Sequence, residues 1–266
     1  MTTLSAIVLT LNEAANIETC LESVKWVDEI IVVDSGSTDS TVAIAKKYTD
    51  KVVFHPWEGY SAQRNFAHSL VHSDYILSLD ADEVVPSELR DEIQKLLQGD
   101  THSLMLAYRI PIRDWMFGRF VRYGSWPHQK PIRLYRRGVG IWQGEVHEAL
   151  VLMEGAHKQI GELSNPLYHY SHPTVATFVE KLNRYTDIEA DQMFRQGRRA
   201  NLLLALAGAV RAFGGQYIRQ LGFRDGGHGL ILALLMAFYY FLVRAKLWSL
   251  WYLHEHPAPP KQMFLK

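Results

Sequence analysis

Three carboxylates stand within four residues at Asp80-Ala81-Asp82-Glu83, directly behind the apolar run Tyr75-Ile76-Leu77-Ser78-Leu79. A buried strand that ends in Asp-X-Asp can turn both carboxylates toward one point, as a divalent cation requires. Ligands of open α/β sheets bind beyond the carboxyl ends of the strands. Mg²⁺ is commonly held by one or two carboxylates, with substrate phosphates completing its shell. Asp80 and Asp82 are therefore assigned to a metal resting against a nucleotide diphosphate. The competing reading of a short Asp-X-Asp is a solvated loop, and the strand context together with Asp34 on another strand tip weighs against it.

Other residues suit the same chemistry. Asp34 closes the β-like run Glu29 to Val33. It can accept from the N–H edge of a base or from a ribose hydroxyl, as an acidic residue does in dinucleotide folds. Asp-Ser-Gly-Ser is equally an ordinary turn. Arg64, next to Asn65 in a helical stretch, can reach a diphosphate or lie on a solvated face. Glu145-Val146-His147-Glu148 sets two carboxylates and an imidazole within four residues. If that segment is extended, Glu145 and His147 share a face and Glu148 points away. One of them can take a proton from an acceptor hydroxyl or complete a metal shell, the alternative being a structural His–Glu pair in a loop. Arg133, Arg136 and Arg137, and separately Arg195, Arg198 and Arg199, suit phosphates or anionic headgroups. For the second group a solvated helix end is the simpler account, since cations favour helix C-termini in any case.

The elements that must position these groups follow from periodicity. Residues 4–11 (LSAIVLTL) read as a buried parallel strand. Asn12 is expected to cap a helix carrying Ile17, Leu21 and Val24 on one face. Thr38 or Asp39 is expected to cap a helix over residues 42–48. Strands at 51–55 and 75–79, a helical stretch at 63–70 and a helix from Pro86 through Leu97 complete an alternating pattern. Such alternation means βαβ units and a parallel sheet. Beyond Gly99 the expectation is strands at 104–112 and 131–135, an aromatic and basic loop at 113–130, and β-like pieces at 141–152 and 160–170. A helix from Thr174 to Gln196 precedes two apolar segments, 202–213 and 230–243. The second has 14 residues, short of the about 20 that a bilayer-spanning helix needs. Arg244, Lys246, Trp248, Trp251 and Tyr252 beyond it have the composition of a membrane interface. The alternative is a buried helix packed on the α/β part or on a second subunit.

A hydrophobic content of 48% over 266 residues excludes global disorder. The chain is formally neutral, but residues 1–102 hold 7 Lys+Arg against 17 Asp+Glu, a balance of −10, and the remainder hold 21 against 11, a balance of +10. The basic half is expected to meet phosphate or lipid, or the two halves pack together. One cysteine, Cys20, excludes an intramolecular disulfide. Met1-Thr2-Thr3 leads into a strand without a basic n-region, so a cytoplasmic location is expected.

Several of these stretches together resemble family 2 glycosyltransferases of the GT-A fold: VLTLNEAANIETCLESV, EIIVVDSGSTDST, the Arg64-Asn65 pair and LSLDADE. PIRLYRRGVG, the VHE ending at Glu148, EKLNRYTDIEA and GFRDGGHG are similar to a narrower branch that includes lipopolysaccharide inner-core β-1,4-glucosyltransferases. The resemblance implies a Rossmann-like, mostly parallel sheet with a helical, membrane-associating C-terminal extension. It also implies an inverting transferase using a nucleoside-diphosphate sugar, UDP-glucose by the branch, and Mg²⁺ or Mn²⁺. By motif position Thr10, Asn12, Glu13 and Asp34 line the nucleotide, Arg64 approaches the diphosphate, and Asp80 with Asp82 holds the metal. The family often places an Asp base in a Glu-Asp or Thr-Glu-Asp run after the metal motif; no such run follows residue 100. Glu148 is therefore the expected base, with His147 second. A Gln-X-X-Arg-Trp motif, typical of processive members, is also missing, which favours single addition over polymerisation.

The expected organisation is a catalytic domain at 1–170, with a nucleotide half (1–100) and an acceptor half (101–170), followed by a helical region at 171–266. The expected partners are a nucleoside-diphosphate sugar, a lipid-linked saccharide such as core heptose, the inner face of the cell membrane and, as an option, a second copy. No nucleic acid is expected. Three rivals remain: sugar transfer to a polyprenyl phosphate or another envelope glycan, a non-catalytic nucleotide-sugar binder, and a phosphatase of the haloacid dehalogenase type. Residues 80–84 formally fit the phosphatase motif, but on the fourth strand rather than the first.

Overall fold

The computed structural model describes residues 2–100, 103–144, 148–155 and 159–256. Every side chain of β1 (Leu4–Thr10) is buried, as befits a strand covered on both faces of a parallel sheet. There follow α1 (Ile17–Ser23), β2 (Glu29–Asp34), α2 (Thr41–Ala45), β3 (Val52–Phe54), α3 (Tyr60–Ser69), β4 (Tyr75–Asp80), β5 (Glu83–Val84) and α4 (Ser87–Gln98). The β-rich stretch comprises β6 (Ala107–Arg109), β7 (Ile112–Met116), β8 (Arg119–Phe120), β9 (Ile132–Arg136), β10 (Gly140–Gln143), β11 (Ala149–Leu152), β12 (Ile160–Glu162) and β13 (Leu167–His172). Three helices close the chain: α5 (Val175–Arg195), α6 (Leu202–Gly214) and α7 (Gly227–Glu255).

The largest sheet has seven strands in the order β12-β6-β9-β4-β1-β2-β3. Strands β4, β1, β2 and β3 run parallel, and β9 inserts antiparallel between β4 and β6. Alternate residues of β1 face opposite layers. Ala6 and Val8 pack with Ile17, Leu21, Leu89 and Ile93, whereas Ile7 and Leu9 pack with Ala67, Val71 and Trp142. The chain runs β1-β2-β3 to one side and returns to β4 on the other side of β1, which puts the topological switch point, the usual ligand crevice, between β1 and β4. The expected α/β, mostly parallel GT-A sheet with a helical C-terminal region is the fold of this chain.

Local expectations differ at several places. The first helix starts at Ile17 behind Asn16, not behind Asn12. Asn12 has φ +55 and uses its side chain to accept from Thr38 N at 2.8 Å; short amides tolerate this left-handed conformation because they hydrogen-bond locally. The next helix covers only Thr41–Ala45 and is led by Asp39, whose carboxylate accepts from Thr41 N at 2.9 Å. The strand expected at 104–112 shortens to β6, and the stretch expected to be a loop, 113–130, contains most of β7 and all of β8. The second apolar segment is far longer than its 14-residue core: α7 has 29 residues, long and apolar enough by composition to cross a bilayer. The polar residues flanking the apolar core continue the same helix.

Two compact units emerge, one formed by 1–115 and 126–171, the other by 116–125 and 172–266. In the second, buried Asp225 accepts from Arg122 N at 3.0 Å and Tyr123 N at 2.9 Å and pairs with Arg119 at 2.8 Å. The GFRDGGHG stretch thus fastens the β8 segment to the start of α7.

Candidate active site

Parallel register sets the strand tips level: Thr10 pairs with Asp34, and Leu9 pairs with Asp80. Asp34 is buried and spends its carboxylate on its own turn, accepting from Gly36 N and Ser37 N at 2.9 Å and from Ser37 Oγ at 2.5 Å. Asn12 N donates to Ser37 Oγ at 2.8 Å and Glu13 N to Thr41 Oγ1 at 2.8 Å, so the loops after β1 and β2 interlock. Glu13 Oε2 accepts from Asn16 Nδ2 at 2.7 Å. Thr10 Oγ1 is buried without a hydrogen-bond partner among the described residues. A buried hydroxyl left this way marks a place where a ligand group can bond.

The tip of β4 carries a dense charge cluster. Arg64, on α3, is fully buried, and its Nη2 lies 2.8 Å from Asp80 Oδ1 and 3.2 Å from Glu148 Oε1. Its Nη1 donates to Ser78 Oγ at 2.9 Å, and the guanidinium lies over the Trp142 ring at 4.8 Å. Arg133, on β9, reaches Asp80 Oδ2 at 3.0 Å and Glu83 Oε1 at 2.6 Å. Burial alone would raise the Asp80 carboxyl, but the guanidinium charges of Arg64 and Arg133 outweigh it and hold Asp80 well below the ordinary carboxylate range. Burial pushes Glu83 upward, with Arg133 opposing and Asp80 adding to the rise. Each ion here has a partner, as burial demands, since an unpaired charge at this depth costs several kcal/mol, about 3–5 by analogy with broken buried pairs.

Helix α3 also fixes the segment that carries Glu148. Asn65 Nδ2 donates to Trp142 O and Trp142 N donates to Asn65 Oδ1, both at 2.9 Å, and Ser61 Oγ donates to Gly144 O at 2.6 Å. The Arg64-Asn65 pair thus divides its work: Asn65 holds the β10 backbone, and Arg64 bridges Asp80 to Glu148. His147 and Glu145 lie outside the described residues.

On the other side of the tip, β13 runs along the turn after β4, with His169 opposite Glu83 and Tyr170 N bonded to Asp82 O at 2.9 Å. His169 Nδ1 lies 2.7 Å from Asp114 Oδ1, and Nε2 lies 3.4 Å from Asp82 Oδ2. Burial would lower this imidazole, but Asp82 and Asp114 outweigh it and hold it well above the usual histidine range. Asp114 Oδ2 is buried with no partner among the described residues.

A metal is implied by the resemblance, and the donor chemistry fits one. Both carboxylates, Asp80 and Asp82, stand half-buried at the strand tip. No group of three or more His, Cys, Asp or Glu among the described residues forms a complete cage. A hard cation held by Asp80 and Asp82 would need further oxygens from substrate, as Mg²⁺ commonly takes from phosphates.

The sequence places Glu83 at the strand tip without a role, does not single out Asp114 or His169, and sets Arg133 toward phosphates. Arg133 was legible as a cation, but the inward direction of its side chain depends on β9 lying antiparallel against β4. Arg136 and Arg137, from the same run, are exposed beside the start of β4, since Arg136 pairs with Tyr75.

The profile of glycosyl transferase family 2 matches residues 5–159. An uncharacterized glycosyltransferase of Rickettsia felis is 35% identical over 263 residues, covering 93% of this chain and 90% of that protein. The lipopolysaccharide core biosynthesis glycosyltransferase LpsC of Rhizobium meliloti is 31% identical over 258 residues, covering 92% of each chain. Among solved structures, S. aureus TarS 1-349 superposes with a TM-score of 0.47 at 17% identity, covering 97% of this chain and 92% of that one. On the strength of the profile match and of sequence relatives along nearly its whole length, the chain belongs to glycosyl transferase family 2.

Proposed function

We propose that this family 2 glycosyltransferase moves glucose from UDP-glucose, with inversion, onto a lipid-linked saccharide such as heptose of the lipopolysaccharide inner core. The observation that carries the reading is the convergence of Asp80 and Glu148 on one buried guanidinium, Arg64, at the tip of β4, with Asp82 in the turn that follows beside His169. The acceptor class is supported by the name of the Rhizobium meliloti relative. In this reading residues 1–100 hold the nucleotide, 101–170 receive the acceptor, and 171–266 meet the inner face of the cell membrane. A polyprenyl phosphate acceptor is the second reading, favoured by the exposed apolar side chains of the C-terminal helices.

Thr10, Asn12, Glu13 and Asp34 line the base and ribose, with Thr10 Oγ1 the unpaired group available to them. Asp80 and Asp82 hold Mg²⁺ or Mn²⁺, which when bound supplies positive charge against the leaving diphosphate. Arg64 acts by position: it neutralises Asp80 and fixes Glu148 by Oε1. Oxygen Oε2 of Glu148 then takes the acceptor proton as the hydroxyl attacks the anomeric carbon from the face opposite the diphosphate.

The test is a screen of nucleotide sugars for metal-dependent binding, followed by transfer to a heptose-containing core lipid and, in parallel, to polyprenyl phosphate. Asp82→Asn is expected to abolish both metal-dependent nucleotide binding and transfer, with an unchanged circular dichroism spectrum. Full transfer in that variant removes the metal assignment; transfer only to polyprenyl phosphate selects the second acceptor.

A further inference from the structure

Helix α6 is apolar on the wrong side for a helix in water. Of its 13 residues only Ala205 is buried. Gly208, Ala209 and Ala212, on the same side, are half-buried, and the large residues point outward. Leu203 is 77% exposed, Leu204 71% and Val210 73%, and Ile218 just beyond is 64% exposed. A helix on a soluble domain buries its large apolar side chains and exposes its polar ones. Small residues inward and large apolar residues outward is the pattern of helices that pack in lipid. The packed neighbour is α7, whose own exposed Leu230, Ile231, Leu234 and Phe238 form a second outward stripe.

Charge decides what covers this face. Between residues 197 and 256 there are seven Lys or Arg and two acidic residues, Asp225 and Glu255; Asp225 is buried against Arg119 and Glu255 pairs with Arg199. Arg198, Arg199, Arg211, Arg219 and Arg224 are exposed. A second copy meeting this face about a twofold axis would bring the same cations against themselves, because such an interface uses one patch twice. An anionic bilayer offers apolar depth and compensating charge together.

Depth is limited as well. α6, at about 1.5 Å per residue, is far too short to cross about 30 Å of hydrocarbon. α7 has the length, but polar α5 lies along it: Lys246 pairs with Asp187 at 2.6 Å, and Tyr239 OH donates to Glu189 at 2.5 Å. A segment flanked by such pairs does not run through lipid on all sides.

We infer that α6, with the outward stripe of α7, lies in the plane of an anionic phospholipid surface as the membrane-contacting element. The inference rests on the reading that the chain works at a membrane and names the element and the lipid class. The experiment uses the purified full chain with vesicles of phosphatidylcholine alone and of phosphatidylcholine with phosphatidylglycerol, in flotation assays. The wild-type chain is expected to float with the anionic vesicles and not with the neutral ones. The double variant Leu203→Asp/Val210→Asp is expected to lose roughly tenfold or more in partition, with an unchanged urea midpoint and unchanged nucleotide-sugar binding. Equal flotation of the double variant overturns the role of α6 while the membrane reading stands. Equal flotation with neutral vesicles overturns the anionic preference. A wild-type dimer in solution that ignores vesicles and dissociates in the double variant overturns both, and assigns the face to self-association.

Discussion

At the scale of single residues, the cluster at the tip of β4 distributes roles that look alike in sequence. Asp80, Glu83 and Glu148 are three carboxylates around two guanidiniums, yet Glu83 is sealed against Arg133 while Glu148 stays partly open to solvent. If Glu148 is the base, Glu148→Gln keeps the hydrogen bond from Arg64 and removes the proton acceptor. The expected result is a loss of about 10²–10⁴ in kcat with little change in nucleotide-sugar affinity; a near-normal kcat hands the role to another group. His68 offers a separate test. The indole Nε1–H of Trp142 can only donate, so His68 Nε2, 3.0 Å away, accepts and the ring is neutral. Burial, helped by the charge of Arg64, lowers its pKa to about 4. Above pH 6.5 neither folded nor unfolded chain holds the proton, and this contribution to stability is complete. As pH falls from about 6.5 toward 4, the unfolded chain gains a proton that the native one refuses, and stability drops by about 1.4 kcal/mol per unit, about 3 kcal/mol in all. Urea midpoints at pH 7, 6 and 5 should show the slope in the wild-type chain and a shallower one in His68→Gln.

Among the elements, α3 does more than cover the sheet. Arg64 faces the strand tip, Asn65 ties β10, and His68 meets Tyr135 and Trp142, so one helix aligns the carboxylate at the tip of β4 with β10 and β9. The start of α7 is a second close-packed point. A side chain at Gly229 would overlap the carbonyl oxygen of Gly222 and press on Asp225 Cβ at 3.2 Å. Gly229→Ala is therefore expected to cost about 1–3 kcal/mol, typical of overpacking, read as a lowered thermal midpoint. An unchanged midpoint would show that the Gly222 turn yields freely. The expected helix cap at Asn12 failed for a related reason: the loop after β1 is shaped by the loop after β2, and a residue's partner 26 positions away outranked its local preference.

For the molecule as a whole, the charge asymmetry of the chain acquires a direction. The acidic N-terminal part supplies the strand-tip carboxylates, and the basic C-terminal part places exposed arginines on α6 and in the segments before and after it. Membrane contact of that origin is expected to weaken with salt, because the Debye length shrinks from about 10 Å at 0.1 M to about 3 Å at 1 M. Flotation at both ionic strengths measures the electrostatic share; full retention at high salt would leave apolar burial as the only force.

By itself the sequence determined the alternation of strands and helices, the carboxylates at their tips and the family. These are local facts: an apolar run of strand length and an Asp-X-Asp behind it mean the same thing wherever the chain later goes. Which residues share a site depended on the tertiary structure. His169 and Asp114 lie 55 positions apart and meet through a hydrogen bond, and Arg133 faces Asp80 only because β9 runs antiparallel beside β4. The inverted face of α6 belongs to the same class. Its composition was plainly apolar, but which side its large residues take is decided by where the small ones pack.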